Sequence, residues 1–168
     1  HDGLAGYKGL ECKHSLCNAH HLRELSFIHE QMNEKIWDGW AKEMMDLLVQ
    51  ANREVQALGA PLAQQRRAWY ASQWDALLER GERYHPYVTP EGAPRGTQGR
   101  HKQSKAHNLL RRLRQYRDDV WRFMSDEGVP FTNNLAEQAL RMAKVRQKVS
   151  GCFRTREGAD VFFTIRSY

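Results

Sequence analysis

No stretch of this sequence approaches the roughly 20 consecutive apolar residues that a bilayer-spanning helix needs. Nor does it open with the basic, apolar and small-residue pattern of a secretory leader. These absences argue against a membrane-spanning helix and lead to the expectation of a cytoplasmic protein. The first residue is His1, with no Met before it, so a piece of a longer protein is expected as well. Cysteine is scarce: Cys12, Cys17 and Cys152 in 168 residues cannot form a disulfide framework, and reduced thiols are the plain reading. There is no internal repeat and no low-complexity tract, which excludes solenoids and compositional linkers.

Acidic residues are missing from two stretches. Arg95 to Arg117 contains eight Lys or Arg and no acid. After Glu137, the residues Arg141, Lys144, Arg146, Lys148, Arg154 and Arg156 follow before the next acid, Glu157. The net charge is +6. Such concentration of basic charge is what a phosphate-binding protein needs, and a solvated helix face is the bland alternative.

Hydrophobic residues make up 40% of the chain, enough for a globular core. Residues 14–20 are compatible with a short buried strand. Leu22, Leu25, Ile28 and Met32 then recur at helical spacing, continued by Trp40, Met44, Leu47, Ala51, Val55 and Leu58. Asp38-Gly39 either caps the second helix or bends one long helix. Gly59-Ala60-Pro61 predicts a helix end and a new start, with Pro61 at the first helical position. Trp69, Tyr70, Trp74, Leu77 and Leu78 supply its apolar face. All five tryptophans (37, 40, 69, 74 and 121) are read as core residues on such faces, with base stacking as the alternative.

Pro86, Pro90 and Pro94 mark a loop over 85–100. Leu109, Leu113, Tyr116, Val120 and Phe123 predict one further helix, whose outward Arg111, Arg112, Arg114 and Arg117 are expected to be free for phosphate. Gly128-Val129-Pro130 breaks it. Thr132, Asn133 and Asn134 are candidate N-caps for a helix to about Lys144. Residues 145–154 are expected to be extended, and 156–168 helical on Ala159, Phe162, Phe163 and Ile165.

On the helix after Pro130, Glu137, Arg141 and Lys144 stand at i, i+4 and i+7 and share a face. By spacing alone this is a surface ion pair worth a few tenths of a kcal/mol. Cys12-x4-Cys17-x2-His20 has spacing that could hold zinc, but no second pair of ligands completes it. A buried strand carrying Cys17, with His20 at the turn into a helix, is preferred.

The string VPFTNNLAEQALRMAKVRQKVSGCFRTREGA resembles the C-terminal signature of bacterial insertion-sequence transposases of the sixty-six family. His1-Asp2-Gly3-Leu4-Ala5-Gly6-Tyr7 resembles the family's second catalytic aspartate and its surroundings, and Cys17 to Leu25 its Cys-x-x-His element. The resemblance implies a two-aspartate, one-glutamate active site on a ribonuclease-H-like fold. Asp2 matches the second acid and Glu137 the third; no residue here matches the first, so this chain alone is expected to be inactive. The implied fold is mainly α with a small β part, a fragment of a ribonuclease-H-like α/β domain carrying a large helical insertion. Residues 1–21 would belong to the core and 22–126 to the insertion, with a basic loop near 85–104. Residues 127–168 would return to the core.

The same resemblance implies metal-dependent DNA cleavage and strand transfer, with Mg²⁺ or Mn²⁺ as cofactor in a two-metal site of the complete domain. Carboxylates suit this, because hard divalent ions prefer oxygen ligands and two of them stabilise attacking and leaving oxygens together. Asp2 and Glu137 are the implied metal ligands. Duplex DNA is the implied partner, met by Arg111, Arg112, Arg114, Arg117, Asn133, Asn134, Arg141, Lys144 and Lys148. The resemblance admits a homo-oligomer of the complete transposase and other element-encoded proteins as further partners, and places the protein at the bacterial nucleoid. Two alternatives stand beside it: a non-catalytic helical DNA-binding module, and a zinc-stabilised adaptor using Cys12, Cys17 and His20.

Overall fold

A computed structural model of the chain describes residues 3, 9–31, 39–88, 102–151 and 153–167. These form α1 (Asn18–Gln31), α2 (Trp40–Leu58), α3 (Gln64–Tyr84), α4 (Lys105–Gln115), α5 (Arg117–Trp121), a 3₁₀ turn (Arg122–Met124), α6 (Asn134–Ser150) and α7 (Arg156–Ser167). The chain divides into two compact units, residues 1–132 and 133–168.

In the first unit, α2 buries Trp40, Met44, Leu47, Leu48 and Ala51, and α3 buries Tyr70, Trp74, Leu77, Leu78 and Gly81. Both sets fall at i, i+4, i+7, i+8 and i+11, one continuous stripe on each helix. α4 buries Ala106, Leu109, Leu110 and Leu113. α1 packs on α2, α2 on α3, α3 on α4, and α4 back on α1, which closes a four-helix arrangement. Glycine at 81 permits the close approach at its centre. A Cβ there would lie 2.7 Å from Leu110 Cδ2 and 3.1 Å from Trp40 Cδ2.

The caps explain the boundaries. Gly59 has φ 62°, and its N–H donates to the Val55 carbonyl, ending α2. Gly39, with φ 72°, stands at the start of α2. It occupies the cap position of α2, as in the capping alternative; residues 32–38, Trp37 and Asp38 among them, lie outside the described residues.

Four local expectations are corrected. Residues 13–17 carry no regular secondary structure, no strand forms among the described residues, and α1 already begins at Asn18. This run is held by single bonds instead of a ladder: the Leu16 N–H donates to Asp119 O at 3.0 Å, and the Arg122 guanidinium donates to His14 O. Pro61 does not open a helix, because the Leu62 side chain is buried and its N–H donates to Met124 O at 2.9 Å; α3 starts at Gln64. The helix expected through Phe123 breaks at Tyr116, with φ −111° and ψ 30°, and resumes as α5. α6 runs on to Ser150, which overturns the extended reading of 145–150. Gly151 ends it at φ 75°.

Tryptophan burial is uneven. Trp40, Trp74 and Trp121 are core residues, Trp74 and Trp121 meeting edge to face at 5.1 Å. Trp69 is 40% exposed, its ring covered by the Arg66 guanidinium at 4.2 Å. Arg66 also donates to Glu54 at 2.8 Å, which holds that carboxyl down at about 2. In the second unit, Phe153, Phe162 and Phe163 cluster, and Arg146 lies 4.9 Å above the Phe153 ring. α7 occupies the helical span expected for the C-terminal residues, but Phe163 and Ile165 are exposed. The Thr155 hydroxyl accepts the Gly158 N–H at 3.1 Å at its start.

Candidate functional site

The second unit carries the face singled out in the sequence. α6 opens at Asn134, with Asn133 in the cap position; Asn133 offers its carbonyl, not its side chain, to the Glu137 N–H at 3.0 Å. Glu137 therefore lies in the first turn, where the positive end of the helix dipole favours a carboxylate. Asn134, Glu137, Arg141, Lys144 and Lys148 line one shallow groove of about 400 Å³. Along the axis the three cations stand about 6, 10 and 16 Å beyond Glu137, at a 1.5 Å rise per residue. Arg141, Lys144 and Lys148 are exposed, and Glu137 is half-buried. An acid at one end followed by a ladder of cations is suited to polyphosphate lying along the helix, with the carboxylate beside it. Arg146 is committed to the phenylalanine cluster and is not part of this ladder.

The arginines of α4 and α5 project outward as expected, but the expectation that they are free for phosphate is corrected for three of them. Arg112 is ion-paired with Glu24 of α1. Arg114 makes a two-pronged contact with Glu82 of α3, at 2.7 and 2.8 Å. Arg117 donates to Asp75 at 2.8 Å. Arg111 is exposed. The paired acids lie 32 to 88 positions away in sequence, so no local pattern exposes these partnerships.

The first unit also contains a cleft of about 260 Å³, lined by Cys17, His20, His21, Arg112, Tyr116 and Asp119 among others. Asn18, which sequence reasoning passed over, organises it. Its Nδ2 donates to Val120 O at 3.0 Å, so its Oδ1 is the acceptor toward His21 Nδ1 at 3.1 Å. That fixes the proton of neutral His21 on Nδ1. Burial first, then Arg112 and His20, pull His21 down from its ordinary value to about 4. His21 is therefore neutral at physiological pH and adds no cation to this cleft. Of the residues with zinc spacing, Cys17 is buried and Cys12 exposed. Among the described residues no group of metal-type ligands brings Cys12 together with Cys17 and His20. Asp2 and Cys152 lie outside the described residues.

The family description Transposase IS66 family matches residues 1–161. The chain belongs to the IS66 transposase family. The matched span takes in both units and therefore includes Glu137 and the cations on its face. No curated protein and no solved structure matches the chain. No described helix of this IS66 transposase chain is long and apolar enough to cross a membrane.

Proposed function

We propose that this IS66 transposase chain contributes one metal-binding carboxylate, Glu137, and a DNA-backbone surface to the cutting and rejoining of transposon DNA. The observation that carries this reading is the shared groove on α6, where Glu137 stands at the head of Arg141, Lys144 and Lys148. In this reading α6 belongs to a ribonuclease-H-like catalytic core, residues 22–126 are an insertion into it, and Asp2 is the companion acid. The oxygen donor of Glu137 fits Mg²⁺ or Mn²⁺ by type. When bound, paired ions of this kind stabilise the attacking and leaving oxygens of phosphodiester cleavage. The residues of the chain position the strand: Arg141, Lys144 and Lys148 hold successive phosphates, and Glu137 stands beside them in the first turn of α6.

The test is duplex binding and cleavage by purified protein. Binding falls steeply with salt, and Arg141→Ala with Lys144→Ala flattens that dependence. The 168-residue polypeptide binds without cutting, since two of three acids give an incomplete metal set. In a form supplying the first acid, Glu137→Gln abolishes metal-dependent cleavage and leaves binding intact. Full cleavage by the Glu137→Gln protein defeats the assignment.

A further inference from the structure

α3 starts without a cap. Ala63 offers no side-chain acceptor, and the first turn carries no acid. The N–H groups of that turn are left over, at the positive end of a 21-residue helix. Beside it, the start of α3 and the stretch 117–125 line a groove of about 480 Å³, with Ala68 and Ala71 leaving room between the larger side chains.

Two residues of the lining each bury an N–H donor that has no acceptor among the described residues: Arg67 at Nε and Trp121 at Nε1. Trp121 is only 4% exposed. A buried donor left without a partner costs about 1–3 kcal/mol, so two in one groove call for an explanation. The neighbouring cations do not need a further partner. Arg66 is bonded to Glu54, Arg117 to Asp75, and Arg122 to Asp119 at 2.9 Å. Arg67 forms no ion pair with a described residue. Asp118 is the one acid in the lining, and its side chain is 88% exposed, turned to solvent. The Trp121 indole N–H, the Arg67 guanidinium and an uncapped helix start all lack the same thing, a compact anion with several acceptor oxygens.

We propose that this groove holds a phosphate group of a nucleic-acid backbone, with Arg67 as its principal contact. The first-turn N–H groups of α3 and the Trp121 indole N–H satisfy its remaining oxygens. The source of the phosphate rests on the transposase reading above, whereas the site rests on its own geometry. It would give the helical unit a DNA contact separate from the groove on α6.

The experiment follows the indole N–H resonances of the ¹⁵N-labelled chain, with Trp121→Phe identifying the Trp121 signal. Short duplex DNA and inorganic phosphate are titrated separately. The Trp121 resonance is expected to move with duplex. Arg67→Ala should weaken duplex binding several-fold and lower the salt slope by about 1, the share of one phosphate, while Arg67→Lys retains the slope. Ala68→Glu, which adds negative charge at the groove without removing a core contact, should weaken binding similarly. Movement with inorganic phosphate but not duplex would overturn the nucleic-acid source. A silent Trp121 signal, with duplex affinity unchanged in Arg67→Ala, would overturn the site while leaving the α6 surface standing. Failure of the unaltered chain to bind duplex at all would instead defeat the proposed function.

Discussion

Replacing Gly81 by Ala tests the packing of the four-helix unit, because two opposing effects of known size meet there. In an ordinary helix interior this change stabilises by about 0.5–1 kcal/mol, through lower backbone entropy in the unfolded chain. Here the new methyl would sit 2.7 Å from Leu110 Cδ2 and 3.1 Å from both Leu110 Cδ1 and Trp40 Cδ2. Both neighbours are fully buried, so neither can swing into solvent. Overpacking of a dense core costs about 1–3 kcal/mol. The clash wins, and Gly81→Ala is expected to destabilise by about 1–2 kcal/mol. For a chain of this size that lowers Tm by about 2–8 °C. The cause is isolated by a double-mutant cycle with Leu110→Ala. The latter alone leaves a cavity and costs about 2–5 kcal/mol. In its background the closest contact is gone, and Gly81→Ala becomes neutral or stabilising by up to about 1 kcal/mol. Thermal or urea denaturation of the four proteins gives the coupling. A rise in Tm for Gly81→Ala in the unaltered chain, or strict additivity across the cycle, would refute the close approach of α3, α2 and α4.

Three further outcomes are expected. His21 titrates near 4 when folded and near 6.5 when unfolded, so its contribution is intact above pH 6.5 and is lost as pH falls from 6.5 toward 4, by no more than about 1.4 kcal/mol per pH unit; denaturant unfolding across that window should show a smaller slope for His21→Gln. Asn18→Ala strands both the Val120 carbonyl and His21 Nδ1, and should cost about 1–3 kcal/mol, whereas Asn18→Asp, which keeps the acceptor alone, should retain part of that. Joint replacement of Arg112, Arg114 and Arg117 by Ala should reduce DNA affinity less than replacement of Arg141, Lys144 and Lys148, because the first three already serve acids of the fold; equal losses by fluorescence anisotropy would show that their ion pairs open on binding.

Periodicity carried most of the helical architecture. The stripes of α2 and α3 were readable because one buried face imposes the 3–4 spacing directly on the sequence. Breaks set by tertiary contacts were not readable. Leu62 looks like a helical residue after Pro61, and only the Met124 carbonyl, 62 positions away, keeps it out of α3. Tyr116 continues the apolar stripe of α4, yet its backbone departs from the helix there. At the α6 site, the common face of Glu137, Arg141 and Lys144 followed from spacing, and Lys148 extends it because the helix continues to Ser150. The pairing of Arg112, Arg114 and Arg117 with distant acids, and the role of Asn18, depend on which helices become neighbours. No local motif encodes that.

The bonds around Asn18 tie the start of the first unit to its end. The helices can form from local contacts within microseconds. Asn18, however, is tied to Val120, 102 positions later, and its N–H donates to Phe131 O. Closing a loop of that length costs about 4 kcal/mol of chain entropy before any bond repays it. The stretch 119–131 is thus a clasp, fastening the start of α1 to the far end of the unit. Backbone amides of Leu16 and Asn18 should then exchange their hydrogens only when the clasp opens, which makes them natural reporters of its lifetime.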